Sequence, residues 1–149
     1  MKLTDFLAAD CLTTKEDLLK TYHELPAGRR IVSPGGEARS PLNMMAEIAM
    51  MFDMAMNLMR TGAMKGSMDD FEGMLKSIES KGEASVLAMI ESGAAKFSEV
   101  LREFPEDELE ESVELPWGNQ SKAEVANYPI WNMRYHQGQL SLVRSLGDR

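Results

Sequence analysis

One apolar seam constrains the fold of this chain more than any other sequence feature. Between positions 87 and 104, apolar residues recur at alternating steps of three and four: Leu87, Ile90, Ala94, Phe97, Leu101 and Phe104. This spacing aligns them along one side of an α-helix, and an apolar side of that length must pack against other helices. The seam therefore predicts one face of a helix bundle, in a helix that ends before Pro105.

The other periodic segments of the chain are also helical. No run alternates apolar and polar residues for long enough to indicate a half-buried strand. A first helix is predicted within residues 3–24, and a capping box formed by Thr13 and Glu16 leaves open whether that helix is broken. We therefore expect an all-α fold.

The second helix has clear boundary signals. Ser40 followed by Pro41 is typical of a helix start, and Gly62 is typical of a helix end, so the helix should span about residues 41–61. A shorter amphipathic helix is predicted after Ser67, as a lid or connector between the second and third long helices.

A last long helix is predicted near the C-terminus. Ser121 and Glu124 form a capping box at its start, and Gly147 is its stop signal. Pro129 either bends this helix or follows a fresh start at Asn127. The chain therefore contains four long helices and one short one.

Length and charge limit the class of protein. A chain of 149 residues has the size of one domain, and we expect residues 1–149 to form a single one. The lone Cys11 cannot form an internal disulfide, and Asp5 interrupts any N-terminal signal sequence, so a cytoplasmic protein without a membrane span is expected. The net charge of −8, concentrated in residues 103–114, argues against nucleic-acid binding.

The last helix carries a side that is polar at its start and apolar at its end. Steps of four and three align its members, which are Asn132, His136, Gln139, Val143 and Leu146. His136 should therefore point into the bundle. Taken alone, a buried histidine is more often a hydrogen-bonded core residue than a metal ligand, because a zinc site needs at least three protein ligands.

An adjoining side of the same helix holds Trp131, Tyr135, Gly138 and Leu142. Because Gly138 has no side chain, this side would allow another helix to approach closely.

The second helix has a polar side that invites more than one interpretation. Five polar residues fall within about a third of its circumference: Asn43, Glu47, Asp53, Asn57 and Arg60. Met50 and Met54 project into the same arc. Solvent, a subunit interface and a pocket that holds Glu47 all remain open. For a pocket, the predicted lining is Asn43, Met50 and Met54, with Tyr135 and Gln139 from the last helix.

Methionine is unusually frequent, with 13 residues in the chain and seven on the second helix. Thioethers can bind Cu(I), but these residues point all round the helix instead of converging. We interpret them as adaptable packing or as a permissive binding groove.

Four segments together resemble the DinB/YfiT-like superfamily of four-helix proteins. They are SPLNMMAEIA at the start of the second helix, GSMDDFEGMLKSIES in the connector, LPWG after the acidic turn, and the terminal YHQGQLSLVRSLGD. The last segment is similar to the family signature H-x-x-x-H-x-G-Q, with His136, Gly138 and Gln139 in its second half. The resemblance implies a DinB-like four-helix bundle over the whole chain, and a homodimer.

The resemblance also implies the position of a metal site. Family members hold a divalent metal, often zinc or nickel, through three histidines, one on the second helix and two on the last. In this chain those positions fall on Glu47, Asn132 and His136. An amide oxygen is a poor zinc ligand, so the site should be weakened or lost, and Glu47 and His136 could fill it with a salt bridge or hydrogen bond.

These features lead to three functional hypotheses. The first is a protein of unassigned role with a degenerate metal site that binds a small ligand. The second, implied by the family, is a metal-dependent thiol transferase of the bacillithiol or mycothiol type. The third is a purely structural homodimeric bundle. No catalytic residue is predicted.

Overall fold

The structure is a computed structural model that describes residues 1–64 and 66–147. Four long helices form the bundle: α1 (Leu3–His23), α3 (Pro41–Thr61), α5 (Glu83–Glu103) and α6 (Lys122–Ser145). α1 and α3 each pack against both α5 and α6. Two further helices are short, α2 (Ala27–Arg30) and α4 (Met68–Ser80). The predicted all-α four-helix bundle with a short extra helix is confirmed.

The residues that mark the two ends of α3 act as the sequence predicts. The Ser40 hydroxyl accepts a hydrogen bond from the Asn43 backbone N–H at 3.1 Å, and Pro41 occupies the first helical position, where no N–H is needed. Gly62 ends the helix with a φ of 77°, a left-handed conformation that suits glycine, and its N–H binds the Leu58 carbonyl.

α1 is one unbroken helix. Thr13 and Glu16 lie inside it, so the capping box that they could form does not start a new segment. The helix stays intact because Leu7, Cys11 and Leu18 are buried along one continuous side that spans the candidate break.

α6 runs continuously through Pro129. Its capping box at Ser121 and Glu124 is present, so the alternative start at Asn127 is wrong. Pro129 is itself buried, and packing tolerates the single backbone hydrogen bond that proline cannot donate. Gly147 follows the helix with a φ of 67°.

A short β-hairpin that was not predicted from the sequence begins at the end of the acidic segment. β1 (Ser112–Leu115) pairs antiparallel with β2 (Gly118–Ser121). Val113 and Leu115 are buried and alternate with exposed neighbours, but four residues are too few for that alternation to stand out. Backbone hydrogen bonds from Glu114 to Gly62, and from Met64 to Glu114, tie the hairpin to the end of α3.

Among the described residues, no helix is both long and apolar enough to cross a membrane.

Candidate functional site

The predicted site residues Glu47, Asn132 and His136 lie together inside the bundle. α3 supplies Glu47 from its second turn, and α6 supplies the other two side chains from successive turns of its inner side. One oxygen of Glu47, Oε2, accepts hydrogen bonds from His136 Nε2 and from Asn132 Nδ2, the latter at 2.9 Å. His136 is 2% exposed and Asn132 is 5% exposed. We call this group, with Gln139, the polar network.

Gln139 completes the hydrogen bonding of the imidazole. Its Oε1 lies 2.6 Å from His136 Nδ1. A carboxylate oxygen lies at one ring nitrogen and an amide oxygen at the other, so both ring nitrogens of His136 have a hydrogen-bond partner. His136 Nε2 and the Glu47 carboxylate form a buried pair with a charge-assisted hydrogen bond.

Further hydrogen bonds connect the polar network to the surface of the protein. Arg39, in the loop before α3, donates to Glu47 Oε1 at 3.0 Å and to Asn43 Oδ1 at 2.6 Å. Asn43 in turn donates to Glu79 of α4 at 2.6 Å. Both oxygens of Glu47 are thus occupied, one from inside the bundle and one from the surface.

These contacts set the ionisation of Glu47. Burial alone would raise the pKa of its carboxyl group. Hydrogen bonds from His136, Asn132 and Arg39, with the positive charge of His136, outweigh burial and lower the pKa to about 2. Glu47 is therefore an anion over the whole physiological range and has little capacity to act as a proton acceptor there.

The polar network fits a zinc or nickel ion poorly. It offers one imidazole, one carboxylate and one amide, and the amide turns its nitrogen, which cannot ligate, toward Glu47. His136 Nε2 and Glu47 Oε2 bind each other instead of presenting free lone pairs. The buried Asn132 Oδ1, however, has no hydrogen-bond partner among the described residues.

A cavity of about 490 Å³ lies between the second half of α3 and the start of α4. Its apolar wall consists of Met50, Met54, Leu58, Met64, Phe71 and Met74. Its polar lining includes Asp53, Asn57, Arg60 and Asp70. We call this space the α3–α4 cavity.

The predicted pocket residues are divided between these two places. Met50 and Met54 line the α3–α4 cavity, whereas Asn43, Tyr135 and Gln139 lie outside it. Asn43 and Gln139 belong to the hydrogen bonding around Glu47. The Tyr135 ring is about half exposed and meets the His136 ring edge-on at 5.3 Å.

The aromatic side of α6 does not pack within this chain. Trp131, Tyr135 and Leu142 are each more than half exposed, and Trp131 stacks on Tyr135 at 5.3 Å. No described atom lies within 4 Å of where a Gly138 Cβ would be. The close helix approach that Gly138 would allow does not occur among the described residues, because the inner side of α6 meets α1 and α3 instead. Leu146, expected on the inner side, is also 39% exposed because it lies beyond the last helical turn.

Cys11 has no nucleophilic character. It is fully buried in the core, and burial, with the nearby negative charge of Asp10, raises the pKa of its thiol to about 12. The methionines of α3 mainly fill the core: Met44, Met45, Met50, Met51 and Met59 are buried.

Arg39 and the α4 wall of the cavity could not be predicted from the sequence. Arg39 lies in an irregular loop, where no periodicity indicates direction. The spacing of Phe71 and Met74 indicates one apolar side of the short helix predicted after Ser67, but nothing in that spacing shows that this side meets α3 across open space.

Comparisons with known proteins agree with the fold. A scan of family models and a search of curated proteins find no match to this sequence. Among solved structures, a DinB-like protein from Bacillus subtilis is similar, with a TM-score of 0.68, 13% identity, and coverage of 96% of this chain and 92% of that chain. At this identity the similarity establishes a DinB-like fold.

Proposed function

We propose that this protein binds a small organic molecule without the help of a metal. In this proposal, Glu47, Asn132 and His136 occupy the position of the family's metal centre but are bonded to one another. One observation carries the proposal: both oxygens of Glu47 already accept hydrogen bonds, from His136 and Asn132 on one side and from Arg39 on the other.

A metal ion would compete with the hydrogen bonds that Glu47 and His136 already make to each other. A metal ion at this position would have to break the buried ion pair between Glu47 and His136 and displace the proton from His136 Nε2. In return it would gain one imidazole, one carboxylate and a weak amide ligand, fewer strong ligands than a stable zinc site uses. The ion pair is therefore the favoured state. The α3–α4 cavity then supports a binding role that does not depend on the network as a reactive centre.

Metal analysis tests this proposal. Protein purified without a histidine tag is analysed by mass spectrometry for divalent metals, as wild type and as His136→Ala. We expect no stoichiometric metal in either sample. A stoichiometric divalent ion in the wild type that is lost in His136→Ala would overturn the proposal.

A gain-of-function variant provides the matched positive control. Glu47→His combined with Asn132→His restores three imidazoles at the positions where family members carry histidines. We expect this variant to bind zinc or nickel stoichiometrically, because three imidazoles meet the requirement of such a site. If it binds no metal although it folds, these positions do not correspond to a metal centre.

A second candidate function is a metal-dependent thiol transferase of the bacillithiol or mycothiol type. The buried Asn132 Oδ1 favours it, because a buried oxygen without a hydrogen bond is costly and a cation would satisfy it. A metal at this position would lower the pKa of a bound thiol. This candidate predicts thiol transfer by metal-loaded wild type and none by His136→Ala, whereas the leading proposal predicts no transfer by either.

A homodimer also belongs to the proposal. It is supported by the exposed side of α6 that holds Trp131, Tyr135 and Leu142, because contiguous exposed apolar side chains often mark a protein contact.

A further inference from the structure

We propose that the α3–α4 cavity binds an elongated apolar molecule with a terminal carboxylate, and that Arg60 binds that carboxylate. This inference rests on the proposed function, since it names the class of the small ligand and the place where it binds.

The size and lining of the cavity favour an organic ligand. Its volume of about 490 Å³ is within the range of ligand pockets, which is roughly 300–1,000 Å³. Left to solvent, a space of this size would hold roughly ten or more water molecules against a mainly thioether and aromatic wall, at about 30 Å³ each. Replacing them with an apolar chain is favourable, and unbranched methionines adapt to such a chain at low cost.

Three of the polar residues that line the cavity lie along α3. Asp53, Asn57 and Arg60 follow one another on α3 at steps of four and three, so they face the same space. Asp53 and Arg60 are seven residues apart, which is roughly 10 Å along the helix. A carboxylate at Arg60 therefore lies well away from Asp53, and its apolar chain extends past Met54 toward Met50.

The guanidinium of Arg60 is available for an anion. Among the described residues it has no ion-pair partner, and its one side-chain hydrogen bond is to Asn57 Oδ1 at 3.4 Å, near the upper limit for such a bond. Asp70, the carboxylate across the cavity, is already held by the Ser67 N–H and hydroxyl in the α4 capping box. A planar guanidinium binds a carboxylate through two parallel hydrogen bonds, which gives the ligand its direction.

Methyl NMR on protein with labelled methionines gives a direct readout. Sodium decanoate is titrated below its micelle concentration, with decanol and decyltrimethylammonium as neutral and cationic ligands of equal chain length. We expect saturable shifts at four methyl groups, those of Met50, Met54, Met64 and Met74. The fully buried core residue Met45 is the internal reference and should not shift.

Two surface variants test the polar contact without threatening the fold. Arg60→Gln should weaken decanoate binding by about tenfold or more, the effect expected for losing a hydrogen-bonded charge partner, and should leave decanol binding within about twofold. Asp53→Asn, the matched control, should not weaken decanoate binding. Met54→Trp should fill the cavity and abolish binding of all three ligands.

Several outcomes would overturn the inference. They are tighter binding of decyltrimethylammonium than of decanoate, shifts that spread to Met45 without saturating, and an unchanged decanoate affinity in Arg60→Gln. Failure of decanoate to bind while the wild type remains free of metal rejects this inference alone. A stoichiometric metal rejects the proposed function whatever decanoate does.

Discussion

Removing the charge of Glu47 should make the stability of this protein less dependent on pH. The carboxylate is held as an anion by His136, Asn132 and Arg39, and its pKa is about 2 instead of the ordinary 4.5. A folded-state pKa below the unfolded one stabilises the fold fully above pH 4.5, and this stabilisation is lost as the pH falls toward 2. Glu47→Gln eliminates this contribution at every pH.

The size of the effect follows from the same two values. The interval from 4.5 to about 2 corresponds to about 3 kcal/mol, at about 1.4 kcal/mol per pH unit. The Glu47 side chain is only 13% exposed, so solvent screening reduces this little. The free energy of unfolding of Glu47→Gln should therefore be lower than that of wild type by about 3 kcal/mol at pH 6, and by about 1 kcal/mol at pH 3.

Urea unfolding followed by circular dichroism between pH 3 and 6 measures this difference. The decisive quantity is its change with pH, since any fixed cost of placing an amide at position 47 cancels. Glu99→Gln, at an exposed position of α5, is the matched control and should differ from wild type by less than about 0.5 kcal/mol throughout. A difference for Glu47→Gln that stays constant from pH 3 to 6 would refute the ion-pair account of the network.

Two further predictions concern packing and assembly. A Cβ at Gly93 would lie 2.7 Å from the Phe52 ring, so Gly93→Ala should destabilise the protein by about 1–3 kcal/mol in urea unfolding. Gly73→Ala, in an exposed helical position with open space around it, should instead stabilise by about 0.5–1 kcal/mol, and equal effects of the two would contradict this packing. In sedimentation velocity, we expect wild type to be a dimer and Trp131→Ala with Leu142→Asp to be a monomer, and an unchanged sedimentation coefficient would reject α6 as the contact.

The helices could be predicted because their signals are local. Ser40, Pro41 and Gly62 act through hydrogen bonds and φ angles within one turn, so the sequence alone sets the bounds of α3. The hairpin could not be predicted in the same way. Its strands are four residues long, and it is held partly by backbone hydrogen bonds between Glu114 and the chain after α3, which leave no sequence pattern.

The site could be predicted in part for a similar reason. Asn132 and His136 share a side of α6 by helical spacing, and the family resemblance supplied Glu47 as their partner across the bundle. Whether these groups bond to one another or to something else depends on Arg39, a loop residue whose position is set by the folded chain and not by periodicity. The same holds for the cavity, which exists only once α4 packs against α3.

The network and the cavity are connected through α4. Only Ile78 of that helix is buried, so α4 has the weakest apolar attachment of the helices longer than one turn. Near its end, Glu79 accepts a hydrogen bond from Asn43, which Arg39 also links to Glu47. An element that is weakly packed along its length and anchored at one end can move away from α3 to admit a ligand and then return. We therefore expect amide hydrogens of α4 to exchange faster than those of α3, and a bound ligand to slow them; equal exchange in the two helices would show that the wall of the cavity is fixed.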